Sequence, residues 1–226
     1  MRFPFILATG NPHKAREICE ILTDEWDQPL AAWAIDVGGN TVGYLVHTPD
    51  GIGNAVQHLP EIDRAPDVEE TGDTLEANAR IKAAALCAAY TLPAIADDTG
   101  LEVEALGGAP GVRSARYAGE DANSARNVER LLRELATTGD ERRAARFTTV
   151  ALARFPDGDE VIERGSVEGT ITTSQHGAGG FGYDPVFRPR EGDGRTFAEM
   201  QPDEKHEMSH RGRAFRALAV AYEKAG

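Results

Sequence analysis

Two periods of apolar residues run along this chain, and together they predict an alternation of strands and helices. Phe3 to Ala8 reads as a buried strand, and Thr9-Gly10-Asn11-Pro12 as a turn feeding a helix in which Ala15, Ile18, Cys19 and Leu22 keep the i, i+3, i+4, i+7 spacing of one face. Asp73-Thr74-Leu75-Glu76 has the form of a capping box, with Glu76 three residues after an acceptor, and the alanine-rich run to Tyr90 should be helical. Leu92 to Ala96 is the next strand, which places Asp97 and Asp98 at its C-terminal end. A third helix is marked by Val128, Leu131, Leu132 and Leu135. Arg146 to Phe155 alternates as a strand does, and Pro156-Asp157-Gly158-Asp159 turns it into Glu160 to Glu163 as a hairpin. Phe215, Leu218, Ala219 and Tyr222 share one face of a final helix. Between the first two helices, Gly38-Gly39-Asn40, Thr48-Pro49-Asp50-Gly51 and Gly53-Asn54 break residues 27–66 into short pieces such as Val42 to Val46, which predicts a surface hairpin or lobe. The fold class is α/β: a mixed central sheet flanked by helices, in two lobes with an active-site cleft between them.

The 226 residues suit a single domain, and 41% hydrophobic with 27% charged residues excludes a mainly disordered chain. A net charge of −13 disfavours nucleic-acid polymers and anionic membranes as partners, while a local cluster of lysine and arginine can still hold a small anion. Two cysteines, Cys19 and Cys87, in helical stretches offer no disulfide framework. The apolar opening is interrupted at Gly10-Asn11-Pro12-His13-Lys14, too early for a signal peptide or a membrane span, so a cytoplasmic location is expected.

Several stretches carry chemistry. Neighbouring strand residues point to opposite faces, so Asp97 and Asp98 cannot both enter one pocket unless the strand has begun to turn. Thr99-Gly100 would permit such an exit, and the carboxyl ends of strands are where ligands sit in open α/β sheets. Two solvated acids in an Asx-turn would look the same. In Ala8-Thr9-Gly10-Asn11-Pro12-His13-Lys14 the chain leaves a strand and enters a helix, which points free N–H groups and a dipole end at an anion, with Lys14 adding a full charge. Neither the Walker A pattern nor G-x-G-x-x-G is present there. Glu70 could be a helix-entry acid, Phe181 a core residue and His210 a first-turn residue behind a Ser209 cap. The combination is more specific: carboxylates for a metal, lysines for phosphates, an aromatic between glycines, and an Arg-His pair.

The colinear set T-G-N-x-x-K, E-E-T-G, E-x-N-A-x-x-K-A, P-A-I-A-D-D-T-G-L, L-G-G-A-P-G-V-x-S-A-R-Y-A-G, G-x-G-G-F-G-Y-D-P-V-F and S-H-R-G resembles the inosine triphosphate pyrophosphatase family, the house-cleaning hydrolases of deaminated purine nucleoside triphosphates. The match begins near residue 5 and reaches the C-terminal helix. Residues 27–66 depart from it as an atypical insertion, because this link is shorter in the family.

The resemblance implies Mg²⁺-dependent hydrolysis of ITP, dITP and XTP to the monophosphate and pyrophosphate, which keeps these nucleotides out of nucleic acids, and a homodimer as the working form. By the same resemblance Asp98 is the proton acceptor for the attacking water. Glu70 and Asp98 hold Mg²⁺, an ion that takes carboxylates together with substrate phosphates and water. Thr9, Gly10, Asn11, Pro12, His13 and Lys14, with Lys82 and Thr99, hold the triphosphate. Phe181, Gly182, Tyr183, Asp184, Lys205, His210 and Arg211 form the base site, in which donors such as Lys205 and Arg211 would favour a 6-keto purine over adenine. Asp97 and Asn78 are auxiliary: Asp97 assists with the metal or holds the strand end, and Asn78 shares a helical face with Lys82. Two alternatives remain at this point, a nucleotide-binding regulatory module without catalysis and a phosphohydrolase with lax base specificity.

Overall fold

The computed structural model describes residues 4–48, 68–121, 123–138 and 142–225. The elements in order are β1 (Phe5–Leu7), α1 (Pro12–Trp26), β2 (Ala31–Val37), β3 (Asn40–His47), α2 (Leu75–Tyr90), β4 (Ala94–Val103), β5 (Pro110–Gly111), α3 (Ser124–Thr137), β6 (Ala144–Arg154), β7 (Glu160–Ile171), β8 (Phe187–Pro189), α4 (Pro202–Met208) and α5 (His210–Ala225). The fold is mixed α/β, as the alternating periods predict. It divides into two compact units, Met1–Asp98 with Val150–Arg164 and Ala214–Gly226, and Thr99–Thr149 with Gly165–Arg213.

In the first unit the strand order is β2-β3-β1-β4-β6-β7. β1 pairs parallel with β4 and antiparallel with β3. Side-chain alternation sorts these strands onto two faces. Phe5, Leu7, Ile95, Ala151 and Ala153 pack with α1 and α5, through Ala15, Ile18, Leu22, Phe215, Leu218 and Tyr222. Ile6, Ala8, Ala94, Ala96, Val150 and Leu152 point the other way and pack with Ala79, Ala83, Leu86 and Tyr90 of α2. In the second unit β4, β6, β7 and β8 follow one another, and β5 pairs with β4. Leu101, Val103, Phe147, Val167, Ile171 and Phe187 meet Val128, Leu131 and Leu135 of α3. The A-P-G-V-R-S-A-R-Y stretch is tied to this core: Ser114 Oγ accepts from Leu101 N at 2.8 Å, and Tyr183 Oη donates to the Ser114 carbonyl at 2.9 Å.

Three expectations are corrected by this architecture. β4 does not end at Ala96; it runs on through Asp97, Asp98, Thr99 and Gly100 to Val103. Alternation sends the two acids to opposite faces, where each meets a lysine, so the strand has no need to stop. The cap of α2 is Thr74, whose hydroxyl accepts from Ala77 N at 3.1 Å; Glu76 closes no box there and pairs with Arg80 and Arg164. The described part of residues 27–66 is a hairpin built into the central sheet, with β3 hydrogen-bonded along β1, and not a surface lobe. Residues 49–66 of that stretch, and Phe3 of the first strand, lie outside the described residues. The Ser209 cap is present, with Gly212 N donating to Ser209 Oγ at 3.0 Å.

Candidate active site

The first unit gathers the acidic and phosphate-directed residues. Thr9 Oγ1 accepts from Asn11 N at 3.1 Å, and Asn11 caps α1 by accepting from the backbone of His13 at 2.9 Å and Lys14 at 3.4 Å. Pro12 at the first helical position has no N–H to satisfy. Gly10 is required by space, because a Cβ there would fall 2.7 Å from the Thr41 carbonyl oxygen of β3. Gly10, Pro12 and His13 are exposed, so the loop faces solvent at the positive end of the helix dipole.

Each aspartate of β4 is held by a lysine from a different helix. Lys14 Nζ of α1 lies 3.1 Å from both oxygens of Asp97. Lys82 Nζ of α2 lies 3.2 Å from Asp98 and 3.2 Å from Glu70. Asn78 Nδ2, one turn before Lys82, donates to the other Asp98 oxygen at 3.3 Å, while its own Oδ1 accepts from Gly72 N at 2.8 Å. The E-E-T-G segment is thereby tied to α2, and Glu70 and Asp98 share one cation position.

Burial is the largest influence on Asp98, and it raises the carboxyl above its ordinary value; Glu70 and Asp97 push the same way, while Lys82 and Lys14 oppose. Lys82 shows the converse. Burial lowers it, yet Asp98, Asp97 and Glu70 together outweigh burial and hold the ammonium above its ordinary value. A carboxylate whose proton affinity is raised while two donors fix its oxygens is suited to accept a proton from water. Among the described residues no group of three or more His, Cys, Asp or Glu side chains forms a metal cage.

The second unit gathers the aromatic and the remaining cations. Asp184 Oδ2 accepts from Phe181 N at 2.8 Å and from Lys205 Nζ at 2.7 Å. Gly180 makes this possible, since its φ is +64° and a Cβ would collide with the Asp184 carboxylate. Lys205 Nζ stands 5.0 Å from the Phe181 ring centre and Arg211 Cζ 5.3 Å from it, so two cations sit over one aromatic face or edge. Arg211 Nη2 donates to Thr99 Oγ1 at 3.3 Å, and Thr99 shares a 2.7 Å hydroxyl bond with Thr149. Thr99 is thus placed with Arg211 in the second unit. Gly182 takes a positive φ of +64° beside Phe181. Tyr183 packs its ring in the core, and His210 stacks on Phe147 at 4.4 Å with the planes 10° apart. Thr149 and Gly180 were not singled out from the sequence. Thr149 sits in an ordinary strand pattern, whereas the glycine doublet before Phe181 was a visible sign.

Fold and clusters define an α/β protein with a carboxylate–lysine centre and a separate aromatic–cation centre. The chain belongs to the Ham1 family, whose sequence model matches residues 5–221. It is 48% identical over 213 residues to a protein of Streptomyces avermitilis named dITP/XTP pyrophosphatase, covering 94% of each chain. It is 44% identical over 217 residues to one of the same name from Thermus thermophilus, covering 96% of this chain and 90% of that one. The solved Ham1 protein of Staphylococcus aureus superposes with a TM-score of 0.71 at 33% identity, covering 98% of this chain and 99% of that one. The family resemblance carried by the motifs is therefore borne out. Among the described residues no helix is long and apolar enough to cross a membrane.

Proposed function

We propose that this chain is a Mg²⁺-dependent nucleoside-triphosphate pyrophosphatase that hydrolyses ITP, dITP and XTP to the monophosphate and pyrophosphate. The observation that carries this reading is the convergence of Glu70 and Asp98 on one cation position, beside an Asp98 carboxyl raised by burial. Asp98 accepts the proton of the attacking water, with Asn78 and Lys82 holding its two oxygens. The names of the relatives as dITP/XTP pyrophosphatases support the same substrates.

Glu70 and Asp98 would hold the metal. Their donors are hard oxygens from two segments, and the lack of a larger cluster among the described residues suits an ion that completes its shell with water and phosphate oxygens. When bound, Mg²⁺ would supply positive charge to the phosphate oxygens. The Thr9–Lys14 loop offers backbone donors and the dipole end of α1 to the triphosphate, and Lys82 adds an ammonium. Phe181 stacks the base, an interaction worth about 1–3 kcal/mol that barely separates purines. Lys205 and Arg211 donate to a 6-keto oxygen and leave the amine of adenine unmatched. Asp184 orients Lys205, Thr99 orients Arg211, and Gly182, Tyr183 and His210 shape the same end. A cytoplasmic homodimer is the working form in this reading.

Products decide the reaction. With ITP, XTP, ATP and GTP compared in excess Mg²⁺, pyrophosphate is expected from ITP and XTP well ahead of ATP, with turnover abolished by a chelator. Orthophosphate as the first product, or equal rates on ITP and ATP, would overturn the reading.

A further inference from the structure

Asp97 is given no step in the hydrolysis, yet its side chain is 1% exposed. A carboxylate is rarely buried without a cation, and here the cation is known: both oxygens lie 3.1 Å from Lys14 Nζ, contributed by a helix 83 positions away in sequence. We infer that Asp97 is a positioning residue that fixes the Lys14 ammonium beside the phosphate-binding loop, and that it is not a metal ligand. The inference rests on the reading of Thr9–Lys14 as that loop.

Alternation along β4 separates the two acids. Ile95 packs in the core on the α1 side, and Asp97, two residues on, reaches Lys14 of α1. Ala94 and Ala96 pack on the α2 side, and Asp98 reaches Asn78 and Lys82 of α2. Asp97 therefore leaves the strand by the face opposite to the one on which Glu70, Lys82 and Asp98 meet. A ligand role beside Glu70 would require it to cross the sheet.

What Asp97 does supply is order. A lysine side chain has a long flexible stem whose freedom must be given up when the ammonium meets an anion. Pairing with a buried carboxylate removes that freedom during folding, before any ligand arrives, which is the general route by which a preorganised site gains affinity. Lys14 keeps the means to act, because its side chain is 19% exposed and an ammonium has three donors, of which a carboxylate engages one or two. The Asn11 cap fixes the backbone of the same residue through Lys14 N. Main chain and side chain of Lys14 are thus set by two different partners.

The test combines Asp97→Asn, Lys14→Met and the double variant with four readouts: binding of inorganic tripolyphosphate to the metal-free chain by calorimetry, KM and kcat for ITP, the Mg²⁺ concentration for half-maximal turnover, and Tm. Asp97→Asn is expected to weaken tripolyphosphate binding and raise KM by about tenfold, as loss of one charge-assisted contact does, with kcat and the Mg²⁺ requirement within about twofold. In the Lys14→Met background, adding Asp97→Asn should change tripolyphosphate binding by less than about twofold, since the two residues act as one unit. A raised Mg²⁺ requirement would overturn the inference in favour of a ligand role. A lowered Tm with tripolyphosphate binding and KM unchanged would overturn it in favour of a plain structural pair. Should Asp97→Asn fail to fold, Lys14→Arg keeps the ion pair and displaces the donors; it is expected to weaken tripolyphosphate binding at an unaltered Mg²⁺ requirement, and unchanged binding overturns the inference. If the wild-type chain hydrolyses neither ITP nor XTP, the proposed function fails by itself, and the tripolyphosphate titration still decides the role of Asp97.

Discussion

Replacing Lys205 by methionine removes one charge and leaves the length of the side chain nearly intact. In the wild type its ammonium lies 2.7 Å from Asp184 with both side chains 5% exposed, so the pair is buried and solvent screening is slight. Taking one partner from such a pair costs about 3–5 kcal/mol, because the remaining charge stays in a medium that cannot solvate it. The cation–aromatic contact with Phe181 at 5.0 Å adds about 1 kcal/mol at most. With a Tm sensitivity of about 2–4 °C per kcal/mol for a chain of this length, Lys205→Met should melt roughly 6–20 °C lower. Denaturant unfolding with Asp184→Asn, Lys205→Met and the double variant completes a cycle. The double variant should be much more stable than the sum of the single losses predicts, since it buries no orphaned charge. A loss below about 1 kcal/mol for Lys205→Met, the size found for exposed pairs, would refute the placement of this pair in the protein interior. So would strict additivity.

In the metal-free protein the Asp98 carboxyl, followed by carbon NMR, should titrate above its ordinary 3.8, and Lys82→Met should move it further up, because Lys82 is the largest of the charges that hold it down. The sign for stability follows: with the folded value raised, the contribution of Asp98 is whole below its ordinary value and is lost as pH rises through the folded one. Titration at or below 3.8 would contradict this. Gly180→Ala forces a side chain into a left-handed φ of +64° and against the Asp184 carboxylate, so a loss of at least about 1–2 kcal/mol is expected in chemical unfolding; a neutral change would mean that Phe181 and Asp184 are not so closely set. Thr74→Ala should cost about 1 kcal/mol by loss of the α2 cap, whereas Asp73→Ala should cost little; the reverse order would restore Asp73 as the cap.

Much of the fold was legible because helices with one buried face announce themselves: Ala15, Ile18 and Leu22, and later Phe215, Leu218 and Tyr222, are buried at their predicted spacing. The end of β4 was misread for a physical reason. Thr99-Gly100 has the composition of a turn, and the partners that let two adjacent acids stay inside a strand, Lys14 and Lys82, come from helices that the local sequence cannot place. The hairpin of β2 and β3 was visible through its glycines, but its pairing with β1 is a long-range event without a local mark. In the site, residue types were legible and partnerships were not. Glu70, Lys82 and Asp98 were expected to serve one ligand, yet the bridging of both acids by Lys82 is a tertiary fact. Thr149 was invisible, because a strand threonine that holds Thr99 looks like any other.

The central claim is that the Asp98 carboxylate carries the proton-accepting step of pyrophosphate release. The most direct measurement is single-turnover pyrophosphate release from ITP by Asp98→Asn alongside nucleotide binding by the same variant. Release should slow by about 10²–10⁴, the size of a general-base contribution, while binding stays within a few-fold. Release at the wild-type rate, with binding intact, would contradict the account.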